Sequence, residues 1–210
     1  MTTQTTSRKL TDKVITPSIM SQIERIDRSL LTPNEEFHLD LFLLSYHTGG
    51  VSLKDLAHLT WDKINGAKLD CQALTYPKVG SVQFAEEGQA VIDRYKDRSF
   101  GNYVLPIFGT RQRTAAQREG YVKRLADKVN VTLRKIEQIA GCGPITWQGA
   151  RLAVIARMIE ERWDCRDIYD FAGSLMFHVE EYYCNLPGAR EKMREELERI
   201  FGRNTNLGRK

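Results

Sequence analysis

The chain punctuates itself into helices everywhere except one short central stretch, and that pattern limits what it can fold into. Thr16-Pro17-Ser18 reads as a helix start, with Ile19, Ile23 and Ile26 following at helical spacing. At Leu31-Thr32-Pro33-Asn34-Glu35-Glu36, Thr32 can cap, Pro33 suits the first turn and the two glutamates complement the helix dipole. That helix should run through Phe37, Leu41 and Leu44 to about His47, where Gly49-Gly50 ends it. Ser52 then caps a short helix, with Asp55 three residues on and Leu53, Leu56, Ala57 and Leu59 as its buried side.

Between Trp61 and Ala85 the apolar period shortens. Ile64, Leu69, Leu74, Tyr76, Val82 and Phe84, broken by Asn65-Gly66 and Gly80-Ser81, predict an antiparallel sheet of two or three strands. Helical character returns at Glu86–Tyr95 and again around Tyr121–Ile139. After a break at Gly141-Cys142-Gly143-Pro144, helices are expected over Thr146–Arg162, Cys165–Ala172, about Val179–Cys184, and Arg190–Phe201. The expected fold is α+β, mostly helical, with one small antiparallel sheet. A single domain over residues 13–203 is expected, with a disordered tail at 1–12 and a flexible one at 204–210.

Composition narrows the class. With 210 residues, 41% hydrophobic and 28% charged, the chain can bury a substantial core. No apolar run approaches the roughly 20 residues that span a bilayer, and the first residues lack the apolar core of a signal peptide, so a cytoplasmic protein is expected. Cys71, Cys142, Cys165 and Cys184 have no Cys-x-x-Cys spacing, which argues for reduced thiols over zinc ligands or disulfides.

The net charge of +4 is unevenly placed. Arg111, Arg113, Arg118, Lys123, Arg124, Lys128, Arg134 and Lys135 are opposed only by Glu119 and Asp127. A phosphate-contacting face is one reading, with Arg111, Arg113, Arg118, Lys123, Arg124 and Lys128 as the leading DNA-contacting candidates. A solvated basic helix with no partner is the other.

The last third carries a more specific pattern. It reads I-T-W-Q-G-A-R from Ile145 to Arg151, then A-G-S-L-M-F-H-V-E-E-Y-Y from Ala172 to Tyr183, with Arg151 and Tyr183 32 residues apart. This layout resembles the catalytic region of tyrosine recombinases, the phage-integrase family. There a His-x-x-Arg is followed by Gly-His or Gly-Trp, and nine residues later by the nucleophilic tyrosine. The segment Leu43–Leu59 resembles the one supplying the first catalytic arginine, and Thr75–Gly80 resembles the hairpin that carries the catalytic lysine. The similarity is nearest to integrases of Bacteroides-type mobile elements and extends over roughly residues 15–200.

The resemblance assigns Tyr183 as nucleophile, Arg151 as phosphate clamp and Lys78 as general acid. Three positions depart from the pattern: Ser52 stands at the first arginine, Gln148 at the first histidine and Ser174 at the second. A tyrosine titrates near about 10 and attacks phosphorus only when its proton is removed or its phenolate stabilised. Arginine suits the charge that grows on the phosphate oxygens, and a lysine can protonate the leaving hydroxyl. No metal or cofactor is required. Each lost transition-state donor costs on the order of 10²–10³ in rate, although such losses add incompletely. Lys54, His58 and His178 are conceivable substitutes.

The implied function is therefore DNA integration and recombination by strand cleavage and rejoining through a 3′-phosphotyrosine, weakened by three replaced groups. The implied partner is double-stranded DNA, with self-association through the C-terminal helix on that DNA. The family's N-terminal DNA-clamping domain has no counterpart in the polar residues before position 16, so either a fragment or a stand-alone catalytic domain is expected. Two rival readings are a DNA-binding or regulatory protein that does not cleave, and a helical interaction domain without a DNA role.

Overall fold

The computed structural model describes residues 14–75, 80–173, 175, 178, 179 and 184. The expected tails lie outside these, as do the helix expected over Arg190–Phe201, most of the one expected over Val179–Cys184, and Tyr76, Lys78, Ser174 and Tyr183.

Helix α2 (Pro33–His47) is the axis of the fold. It opens with a reciprocal capping box: the Thr32 hydroxyl accepts from the Glu35 N–H, and the Glu35 carboxylate accepts from the Thr32 N–H at 2.8 Å. Every residue from His38 to Tyr46 is buried, the signature of a helix enclosed on all sides rather than lying on a surface. Its neighbours are α3 (Leu53–Ala57), α4 (Glu86–Tyr95), α5 (Ala115–Ala140) and α6 (Trp147–Glu160). Helix α1 (Pro17–Glu24), capped by Thr16, packs across α5 and α6, and α7 (Cys165–Ala172) packs on α6.

The sheet is a three-stranded antiparallel meander of β1 (Ile64–Asn65), β2 (Lys68–Asp70) and β3 (Ser81–Gln83). Ile64 pairs with Leu69, and Leu69 with Val82. Gly66 takes a positive φ of 58° as the first residue of the two-residue turn Gly66-Ala67, while Asn65, expected in the turn, is the last residue of β1 and pairs with Lys68. Leu69 is completely buried, which anchors the sheet to the core. The expected strand positions at Leu74 and Phe84 are corrected. Leu74 sits in a turn closed by its N–H to the Cys71 carbonyl, and Phe84 follows β3 as a buried residue.

Helix α5 starts at Ala115 instead of Tyr121. A second capping box, Thr114 with Gln117, begins it, and Gly141 in the left-handed region ends it. The first turns are polar and carry little apolar period, which is why periodicity alone places the start too late. No described helix is long and apolar enough to cross a membrane.

Candidate functional site

The turn from α2 into α3 is tightly bonded. Gly49 and Gly50 both have φ near 84°, the Gly50 N–H donates to the Ser45 carbonyl at 2.6 Å, and the Ser45 hydroxyl donates to the Val51 carbonyl at 2.6 Å. The N-terminal turn of α6 lies directly on this segment. Arg151 Nε donates to the Gly50 carbonyl at 2.9 Å, and Trp147 Nε1 donates to the Val51 carbonyl at 3.3 Å. A Cβ at position 50 would come within 2.5 Å of Arg151 Cγ and 2.9 Å of its Cα. Glycine is thus demanded twice, by the backbone angle and by the closeness of α6.

Ser52 is the N-cap of α3. Its hydroxyl accepts from the Asp55 N–H at 3.0 Å and donates to Asp55 Oδ2 at 2.7 Å. Asp55 also accepts from the Thr75 N–H at 3.0 Å and from the Thr75 hydroxyl at 3.3 Å. The segment holding Ser52 therefore touches both Thr75, three positions before Lys78 in the sequence, and the α6 turn carrying Gln148 and Arg151. Gln148, half-buried, is the second residue of α6. Three sequence segments that the resemblance singled out, far apart in the chain, meet here. Lys78, Ser174 and Tyr183 fall outside the described residues.

Of the conceivable substitutes, Lys54 is exposed and His178 is half-buried. His58 is committed locally: its Nδ1 shares a 2.9 Å hydrogen bond with the Lys54 carbonyl, and its ring lies edge-on to Phe108 at 5.0 Å.

The basic residues of the 111–135 region divide into two kinds. Arg118 points back at its own loop, where Nη1 donates to the Gln112 carbonyl at 3.3 Å and the Arg113 carbonyl at 3.0 Å. Lys135 pairs with Glu35 at 2.8 Å, and this ammonium together with the Thr32 N–H draws the Glu35 carboxyl down to about 2. In contrast, Arg111, Arg113, Lys123, Arg124, Lys128 and Arg134 are exposed, and no ion pair among the described residues involves them. Arg124 lies over the Tyr121 ring at 5.9 Å. Helical spacing places Tyr121, Arg124, Lys128 and Lys135 in one row, while Lys123, Asp127 and Arg134 form another. The single basic face expected from the sequence is thus two flanks, one of them interrupted by a carboxylate.

Sequence reading missed a buried charge centre. Asp40 on α2 has no exposed side-chain surface. It accepts from Arg94 Nη1 at 2.6 Å and from the Tyr95 hydroxyl at 2.7 Å, both at the end of α4. Arg28 Nη1 lies 2.8 Å from the other oxygen, near enough for an ion pair but off the hydrogen-bond direction. The only available signal was an aspartate in the middle of an otherwise apolar run, and its hydrogen-bond partners Arg94 and Tyr95 lie 54 and 55 residues away.

The four cysteines are free, with Cys71 buried and its thiol pushed up to about 11, chiefly by burial. Among the described residues no group of three or more His, Cys, Asp and Glu side chains could hold a metal ion. A cavity of about 710 Å³ opens between the end of α2, β3, α6 and α7, beside Tyr46, Arg157 and Trp163, and Ser52, Gln148 and Arg151 do not line it. Comparison of the chain with protein-family models, with curated proteins and with solved structures found no match in any of the three.

Proposed function

We propose that this chain binds double-stranded DNA on a tyrosine-recombinase-like scaffold and does not cleave it efficiently. The observation that carries the binding reading is the set of exposed cations on α5 and the loop before it that have no carboxylate partner among the described residues: Arg111, Arg113, Lys123, Arg124 and Lys128. Such side chains interact with phosphates at little desolvation cost and release counterions when they do. Two bonds argue against turnover. The Ser52 hydroxyl, standing where the resemblance expects an arginine, is engaged in capping α3, and the Nε donor of Arg151 is committed to the Gly50 carbonyl.

The second reading, strand cleavage by Tyr183 with Lys78 and Arg151, is favoured by the meeting of the Ser52, Thr75 and Arg151 segments. A nicked suicide duplex separates the two. The proposal expects salt-sensitive binding, with affinity falling by a log–log slope of about −3 to −5 for four or five phosphate contacts, and no covalent protein–DNA adduct. An adduct that Tyr183→Phe removes and Tyr182→Phe leaves in place would establish cleavage instead. Binding that does not weaken with salt, or no binding, would overturn the DNA reading altogether.

A further inference from the structure

Beside the N-terminal end of α5 the surface folds into a concavity of about 310 Å³, walled by Phe100, Tyr103, Phe108, Gln112, Arg113 and Arg118. Its lining combines three aromatic rings with two guanidinium groups. Phe100 is 48% exposed. Tyr103 and Phe108 meet edge to face at 5.1 Å, and Phe108 continues the contact to Tyr121 at 6.5 Å. An isolated exposed phenylalanine calls for no explanation. One that lines a concavity with other rings and arginines offers a stacking surface beside positive charge.

The concavity is also braced. The Gly109 N–H donates to Gln112 Oε1 at 3.0 Å, Arg113 Nε donates to the Thr110 carbonyl at 3.1 Å, and Arg118 ties down the Gln112 and Arg113 carbonyls. The loop is held in shape before any ligand arrives, which lowers the ordering cost of binding. Arg113, anchored through Nε, stays exposed and forms no ion pair among the described residues. From the aromatic end, the row Tyr121, Arg124, Lys128 leads away along one flank of α5 with successive cations about 6 Å apart along the axis.

We infer that this concavity takes an unpaired base of single-stranded nucleic acid, stacked on Phe100, while Arg113 and the Arg124–Lys128 row hold the neighbouring phosphates. The exposed Phe100 ring gives a base a surface to stack on, every base has a face that can use it, and the adjoining cations meet the strand's negative charge. A base inside a duplex must be unstacked and unpaired before its face is free, so the site should favour opened strands over closed ones. The inference rests on the reading that α5 meets nucleic-acid phosphates, and it specifies the form of strand that the loop recognises.

The test is fluorescence anisotropy of the full chain with a labelled oligothymidylate and, separately, a blunt duplex of equal length at one fixed low salt. Phe100→Ala should weaken oligothymidylate binding roughly 5–100-fold, the loss expected for one stacked base, and change duplex affinity less than twofold. Phe100→Trp should restore the single-strand affinity, a rescue that requires a ring. Failure of the unaltered chain to bind oligothymidylate, an unchanged affinity for Phe100→Ala, or an equal loss on the duplex would each overturn the inference. Loss of duplex binding alone, with the Phe100 effect intact on the single strand, would overturn the duplex proposal and leave this one standing.

Discussion

Two groups of arginines in this chain carry the same charge to opposite ends. Arg28, Arg94 and Arg151 turn inward: the first two converge on the fully buried Asp40, and the third seats α6 on the Gly50 carbonyl. Arg111, Arg113 and Arg124 stay outside, with no carboxylate partner among the described residues. The contrast teaches that position in a charge-rich stretch says little about the role of an arginine. The decisive quantity is whether a fixed acceptor lies within reach, and most such acceptors here are distant in sequence or belong to the backbone. The inward group should govern stability and the outward group binding, and the two should separate cleanly under mutation.

The strongest attack on that division is Asp40→Ala. It leaves Arg28 and Arg94 facing each other without their shared carboxylate, and breaking a buried pair in this way costs about 4 kcal/mol, moderated because Arg94 is 46% exposed and can rehydrate. Chemical denaturation should show that loss, and a change below about 1 kcal/mol would mean the centre is not a stabilising one. Gly50→Ala comes next. Its added carbon would strike the Arg151 backbone and sit at a positive φ, so a destabilisation of about 3 kcal/mol is expected from the same measurement.

A pH test lies between the two groups, at His38. This buried ring shares a 2.8 Å hydrogen bond with Thr132 on α5, and burial first, then the nearby positive Lys128, lowers its pKa against the weaker opposing pull of Glu35. The native state therefore keeps His38 neutral. Its contribution to stability is complete above the ordinary histidine value of about 6.5 and is lost as the pH falls below it, when the unfolded chain takes up the proton first. The thermal midpoint should drop between about pH 7.5 and pH 5.5, and His38→Gln should flatten that dependence. His47 is lowered as well by burial, but its partner Glu24, 3.2 Å away, is shifted upward by burial and Glu87, so that pair gives a less direct test.

The smallest stability effects belong to the outward group. Lys128→Ala and Arg124→Ala should leave unfolding within about 0.5 kcal/mol of the parent, while each flattens the salt dependence of duplex binding by about one unit of log–log slope. A large stability loss from either would place it with the inward arginines.

The elements legible in the sequence are those whose causes are local. Thr16, Thr32 and Ser52 cap helices because a side chain three residues or fewer from its backbone partner needs no tertiary information, and Gly66 sets its hairpin turn for the same reason. Helix α5 was half legible: its Thr114–Gln117 box is a readable signal, but the polar first turns hide it from a search for apolar periodicity. Arg118 could not be distinguished from its basic neighbours, because its acceptors are two carbonyls aligned only when the loop folds back. Asp40 and its partners were illegible for a stronger reason, since nothing near residue 40 announces Arg28, Arg94 or Tyr95. At the candidate site, sequence marked the segments of Ser52 and Arg151 but not their contact, which passes through the Gly50 carbonyl and not through either predicted catalytic side chain pairing with the other.

The close seat of α6 on Gly50 also has a consequence for how this sequence can drift. Position 50 has room for hydrogen alone because the Arg151 backbone stands against it, so neither residue's neighbourhood can be altered in isolation. A descendant chain that acquires a side chain at 50 must shift the whole start of α6 outward, and with it Trp147, Gln148 and the bond to Val51. Two sites 101 residues apart are thereby bound into one unit of inheritance.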